Sequence, residues 1–423
     1  MTESAIVREV LPNGLRLLTE RMPQVRSVSI GVWLARGSRH EPQERGGIAH
    51  FVEHMLFKGT GTRTAEDIAQ AIDSVGGQMD AFTAKEYASY YIKVLDEHLP
   101  FALEVLSDIV MNPRFSADDI EREKKVVLEE IKMVEDTPDD LVHELFTENF
   151  WADHPLGRPI LGTKETVESL DAEALTRYFR GAYTAPHLIV SAVGNVDHAR
   201  VRDLVARIFA ALPTDTTPVS DAPPRVVPCT IIRNKELEQS HVCLGTAGYR
   251  QDHEDRYSSY VMNTVLGGSM SSRLFQNVRE KRGLAYAVFS GLSAYRDTGS
   301  MTIYAGCAND AVGELIDVVI GELRRMKDEP LPDAELRRAK DHLKGSLMLN
   351  LESTSSRMSH IARQEIYFDR QFGLDETLEG VERVTPDDIQ RVARDLFASD
   401  ALAATVLGAV NGLQISRERL WLG

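Results

Sequence analysis

Cysteine is scarce. The 423 residues hold three, Cys229, Cys243 and Cys307, odd in number and widely spaced, which argues against a disulfide framework and fits a reducing compartment. They are expected to be buried as small apolar side chains. No run reaches the roughly 18 apolar residues that a membrane-spanning helix needs. The N-terminus, MTESAIVREVLPNG, has no basic region followed by an apolar stretch, so no signal peptide is expected and the cytoplasm is the expected location. Positive charge is in deficit: 48 Lys and Arg stand against 64 Asp and Glu, a net charge of -16. That balance disfavours nucleic acid or an anionic membrane as partner, because phosphate binding runs on Lys and Arg. It would suit a cationic substrate, or simply keep the protein soluble.

What is present is the composition of a globular protein, 43% hydrophobic and 26% charged, in a chain too long for one ordinary core. Between Pro213 and Pro228 the sequence reads PTDTTPVSDAPPRVVP, a semi-rigid linker by composition. It separates an expected domain at 1–212 from another at 229–423. The order of elements repeats on either side. Alternating strands are read at 28–33 and 241–246, and each is followed by a helix ending in a glycine turn, at Gly59 and at Gly267-Gly268, where a left-handed glycine is expected. Long charged helices begin near 116 and 332, the first with Ser116 as N-cap and Asp119 in the capping-box position. Other helices are read at 64–74 and 97–111. Neighbouring strands at 78–82 and 88–94 are close enough for a hairpin. The expected fold is α+β: two tandem homologous domains, each a mostly antiparallel sheet packed with helices.

His50-Phe51-Val52-Glu53-His54 places two imidazoles four residues apart on one helix face, able to meet at one ion, with Glu53 close enough to reach a water there. This is the HxxEH order of the inverzincins. Neutral imidazoles suit Zn²⁺, a third ligand leaves one position open, and a carboxylate can take the proton of zinc-bound water and return it to a leaving amine. Glu123 and Glu130 lie seven apart on a separate helix, hence on one face, and either could supply the third ligand. A solvated polar helix face is the alternative. Against it, the motif is wedged between Gly46-Gly47-Ile48 and Met55-Leu56-Phe57, and the second half has no counterpart. With the helix ends aligned, Ser259, Met262 and Asn263 fall opposite His50, Glu53 and His54, and Ala339 and Ser346 opposite Glu123 and Glu130.

The whole chain resembles the pitrilysin-type inverzincin metallopeptidases, nearest to the mitochondrial processing peptidase beta subunit and its short bacterial relatives. The likeness rests on Gly46 to Thr60, on the Glu123 to Glu130 helix, on Leu156-Gly157-Arg158-Pro159-Ile160-Leu161-Gly162-Thr163 and on Arg279-Glu280-Lys281-Arg282-Gly283-Leu284-Ala285-Tyr286. It implies a zinc endopeptidase with one Zn²⁺ per chain, held by His50, His54 and Glu130. Glu53 is then the general base and Glu123 the carboxylate behind a ligand. Arg279, which alone reads as a solvated charge, joins Tyr286 as the pair that holds and polarises the scissile carbonyl. Peptide or unfolded polypeptide is expected to add to a sheet edge at Asp80, Ala81 and Phe82. Asp80 stands where the family has asparagine, which removes a donor. A two-domain chain of this kind is expected to form a homodimer. Three alternatives stay open: a non-catalytic structural subunit of the same fold, a metal-dependent hydrolase of something other than peptides or a simple metal-binding protein, and a beta-like subunit that needs a separate partner chain.

Overall fold

The computed structural model describes residues 6–215 and 222–423, so part of the proline-rich segment, 216–221, lies outside the described residues. Two compact units emerge. Among the described residues, the first comprises 6–132, 158–215 and 349–371; the second comprises 133–157, 222–348 and 372–423. The units therefore do not divide simply at the proline-rich segment, because each takes a piece from the other half of the sequence.

The first unit is built on six strands: β1 (Ile6–Val10), β2 (Arg16–Arg21), β3 (Ser27–Leu34), β4 (Gln78–Thr83), β5 (Ala88–Leu95) and β6 (Leu188–Gly194), in the order β1-β2-β6-β3-β5-β4. Only β2 and β6 run parallel. The second unit holds β7 (Thr230–Asn234), β8 (Gln239–Gly248), β9 (Ala285–Ala294), β10 (Gly299–Ala308) and β11 (Ala403–Gly408), in the order β7-β11-β8-β10-β9. Its one parallel pair is β7 with β11. With β1 set aside the two sheets share one topology, so the fold is α+β in tandem copies with mostly antiparallel sheets.

The expected alternation in β3 is absent, because the strand is buried on both faces. Val28, Ile30 and Val32 enter a core with helices α1 (Ile48–Leu56) and α3 (Leu99–Met111). On the opposite face Trp33 packs under a helix from far along the chain, Thr354–Phe368, through Met358, Ile361, Ala362 and Ile366. Two charge-assisted pairs pin that helix to the sheet edge. Buried Glu365 accepts from Arg8 at 2.8 and 2.9 Å, and buried Glu20 accepts from Arg357 at 2.5 and 2.9 Å. The second unit borrows in return: Leu141, Val142, Phe146 and Phe150 of the helix Pro138–Phe150 pack on Cys243, Tyr304 and Leu407. A helix is thus exchanged in each direction.

The remaining elements follow their local signals. Helix α2 (Ala65–Asp73) starts on a capping box at Thr64, and α4 (Ala117–Asp136) starts where Asp119 N–H donates to Ser116 Oγ at 3.3 Å. Gly267 is not left-handed: its φ is −151°. Its need is for space, since a Cβ there would lie 2.4 Å from Ser290 N. Cys243 and Cys307 are buried, Cys229 is half-buried, and all three are free. No helix among the described residues is long and apolar enough to cross a membrane.

Candidate metal centre

Helix α1 is amphipathic by sequence. Ile48, Phe51, Val52, Met55 and Leu56, at helical spacing, are all buried, which leaves His50, Glu53 and His54 together on the remaining flank. The same logic sets α4: Ile120, Glu123 and Val127 are buried, and Glu130 lies two turns beyond Glu123 on that stripe. The two flanks meet. One ligand atom each from His50, His54 and Glu130 lie within 4.8 Å of one another, the one group of its kind among the described residues. Glu130 Oε2 is 3.7 Å from His50 Nε2 and 3.5 Å from His54 Nε2.

The donor set fits a borderline-soft divalent cation such as zinc: two imidazoles and one carboxylate, with no fourth protein group among the described residues. Burial and then His54 push the His50 imidazole down to about 4, so at neutral pH it is uncharged and keeps a lone pair for a metal. His54 Nδ1 lies 3.1 Å from Glu123 Oε2, an arrangement that would leave the other nitrogen for an ion held beside Glu130. The other oxygen of Glu123 is held by Lys58 Nζ at 2.7 Å. His50 has no such support, since its Nδ1 is buried without a hydrogen-bond partner among the described residues.

Burial raises the Glu53 carboxyl above its ordinary value, partly offset by a 2.5 Å bond from Thr83 Oγ1 and by His54, while Asp80 and Glu130 push it further up. Such a carboxyl is a competent proton acceptor. Thr83 ends β4, the outermost strand of its sheet, so one edge of β4 has no strand partner among the described residues. Met79 and Ala81 pack toward the α1 side with Thr83. Asp80 and Phe82 alternate to the opposite face: Asp80 accepts from Tyr91 Oη at 3.0 Å and from Ala81 N at 2.8 Å, and Phe82 packs edge-on to Trp33. Of the three residues expected to bind substrate, only Ala81 has its side chain on the α1 face.

In the second unit Arg279 and Tyr286 come together, the guanidinium 4.6 Å from the ring centroid and 4.8 Å from that of Phe275. Tyr286 is the extra residue of a bulge in β9, between the pairs Gly306–Ala287 and Cys307–Ala285, which turns its ring outward to 78% exposure. The positions opposite the metal motif are structural: Met262 is core, and Asn263 Oδ1 accepts from Ser290 Oγ at 2.7 Å.

Sequence reading missed Lys58, Thr83 and Glu41. Glu41 Oε2 accepts from Gly47 N at 2.9 Å and Oε1 from Ala49 N at 2.7 Å, capping α1 from outside the helix. Burial pushes this carboxyl up to about 8 against the pull of those two N–H groups, Lys85 and Arg158. A signal existed: glycine at the N-cap has no side chain to satisfy the first-turn N–H groups, so an acceptor had to come from elsewhere.

Comparison with known proteins places the chain in a family. The family model described as insulinase (peptidase family M16) matches residues 16–164, and that described as peptidase M16 inactive domain matches 169–343. The uncharacterized zinc protease YmxG of Bacillus subtilis (strain 168) is 43% identical over 401 residues, covering 95% of this chain and 98% of its own. An uncharacterized zinc protease of Streptomyces coelicolor is 42% identical, covering 97% and 91%. Among solved structures, a Pseudomonas fluorescens protein described as a peptidase M16 inactive domain has a TM-score of 0.91 at 20% identity, covering 97% of this chain and 100% of its own. A protease from Helicobacter pylori has a TM-score of 0.89 at 23% identity, covering 96% and 99%. At these identities the two solved structures speak for the fold alone.

Proposed function

The chain belongs to the insulinase-type M16 peptidase family, and from that premise we propose that it is a zinc metalloendopeptidase acting on peptides or unfolded polypeptide. The observation that carries the reading is the convergence of His50, His54 and Glu130 within 4.8 Å beside a buried carboxylate, Glu53, held by Thr83. A zinc ion bound there, one per chain, supplies Lewis acidity and brings water within reach of deprotonation near neutral pH.

The side chains do the rest. Glu53 takes the proton of the attacking water and returns it to the leaving amine; its raised affinity for a proton suits both transfers. Glu123 keeps His54 oriented. The free edge of β4 offers main-chain donors and acceptors to an extended peptide. Asp80 and Phe82 then serve that edge through their backbone. Arg279 and Tyr286 hold the substrate carbonyl, a role that rests on the resemblance and on their mutual packing. A homodimer in the cytoplasm completes the reading, with three free cysteines in favour of that location.

Metal analysis of the purified chain, with a quenched fluorogenic peptide assayed with and without chelator, tests the proposal. Stoichiometric zinc and chelator-sensitive cleavage are expected. Full cleavage by Glu53→Gln would remove the mechanism, and a monomer by size measurement would remove the dimer.

A further inference from the structure

The two zinc-side histidines of α1 are supported unequally. His54 is oriented by Glu123 at 3.1 Å, whereas the buried Nδ1 of His50 has no partner among the described residues. The bearing of His50 is therefore set by the backbone of the first turn of α1. That turn begins at Gly47 with no side-chain cap of its own, and unassisted helix ends fray.

The structure clamps this turn from two sides. Glu41, itself buried, places one oxygen on Gly47 N and the other on Ala49 N, the residue before His50. From the other side the loop 158–163 lies backbone against backbone on the glycines that open the helix. A Cβ on Gly47 (φ +89°) would lie 2.5 Å from Leu161 O, and one on Gly162 (φ +77°) would lie 2.3 Å from Gly46 O. Neither position accepts a larger residue without moving the helix start. Arg158 joins the two sides, since its Nη1 donates to Glu41 O at 3.3 Å. Lys85, in the turn of the β4–β5 hairpin that bears Thr83, donates to Arg158 O. The Leu156 to Thr163 stretch contributes no ligand, yet it backs the helix that carries two of them.

We infer that Glu41 is a positioning residue for the reaction, fixing the first turn of α1, and through it His50, within a clamp closed by Arg158 and Gly162. This rests on the peptidase reading and adds to it a residue that touches neither metal nor substrate.

The test uses the full chain and the nearly isosteric Glu41→Gln, whose single amide oxygen can satisfy only one of the two N–H groups while its NH₂ faces the other. Zinc affinity by chelator competition, kcat and KM at saturating zinc, and the urea midpoint of the zinc-free protein are measured beside Glu44→Gln, the same substitution at an exposed site in the same loop. For Glu41→Gln, zinc binding is expected to weaken by about tenfold or more and kcat to fall by a similar factor, with KM within about threefold of wild type. Glu44→Gln is expected to match wild type. Zinc affinity and kcat both within about threefold of wild type overturn the inference, as does a lower urea midpoint with unchanged zinc affinity, which would mark a folding role only. If Glu41→Gln does not fold, Arg158→Met decides, with the same signature expected at about three- to tenfold and an unchanged zinc affinity overturning it. Wild-type protein that binds no zinc and cleaves nothing overturns the peptidase reading itself.

Discussion

Replacing Glu123 by glutamine isolates the support behind a zinc ligand. The carboxylate, with a side chain 6% exposed, accepts on one oxygen from His54 Nδ1 at 3.1 Å and on the other from Lys58 Nζ at 2.7 Å. Glutamine has one acceptor and one donor. If its oxygen turns to His54, its NH₂ meets the Lys58 ammonium; if it turns to Lys58, the NH₂ meets the imidazole N–H. Either way one charge-assisted bond is lost, about 1.5–3 kcal/mol. Both bonds exist without zinc, so only the part that differs between zinc-loaded and zinc-free protein reaches the dissociation constant. The expected change is about tenfold, at the lower end of the 10- to 100-fold usual for such partners, and the remainder is expected as a lower melting temperature of the zinc-free protein. Competition against a fluorescent chelator reads the first, and a thermal melt the second. The double variant Glu123→Gln with Lys58→Met sharpens the test, because with the ammonium gone the amide oxygen can face His54 at no cost. It is expected to bind zinc more tightly than Glu123→Gln alone, a coupling of about 1 kcal/mol. A double variant no better than the single one, or a single variant within about twofold of wild type, refutes the reasoning.

Glu53→Gln is expected to keep its zinc and lose about 10²- to 10⁴-fold in kcat; zinc content and cleavage rate measured on one preparation check both halves. Added zinc is expected to raise the melting temperature of wild type, and to leave that of a His50→Ala, His54→Ala double variant unmoved. Met358→Ala, which empties a fully buried site between the borrowed helix and the first sheet, is expected to destabilise by about 2–5 kcal/mol in urea unfolding. Acid stability is set in part by His187. Burial, and then Arg36, whose Nη2 lies 3.1 Å from the ring Nε2, hold this imidazole down at about 4, against 6.5 unperturbed. The unfolded chain thus binds the proton more readily, so this contribution is present above pH 6.5 and is lost as pH falls toward 4. His187→Asn is expected to flatten the fall of the urea midpoint across that window, and parallel curves for variant and wild type would dismiss the assignment.

Periodic features were legible in the sequence. The apolar stripe of α1 leaves one flank for His50, Glu53 and His54, and the seven-residue spacing of Glu123 and Glu130 puts both on one side of α4. Resemblance was needed to choose between those carboxylates. What sequence could not give is long-range geometry. Glu41 serves a helix it does not belong to, and Lys58 meets Glu123 across 65 positions of chain, as a consequence of packing and not of spacing. The burial of both faces of β3 was hidden for the same reason, since its second cover comes from Thr354–Phe368. Asp80 shows the opposite limit: the strand was legible, but the face each side chain takes depends on which side α1 packs.

The exchanged helices set a timetable for synthesis. When the strands β1 to β6 have all emerged from a ribosome, the face carrying Trp33, Ile189 and Val193 still lacks Met358, Ile361 and Ile366. These arrive roughly 170 residues later, about 8–35 s at ordinary rates of elongation. For that interval the nascent first unit presents a bare apolar sheet, a natural client for a holdase. The repeated stretch of sequence is therefore not the unit that folds: halves made as separate polypeptides would each lack a cover held by the other.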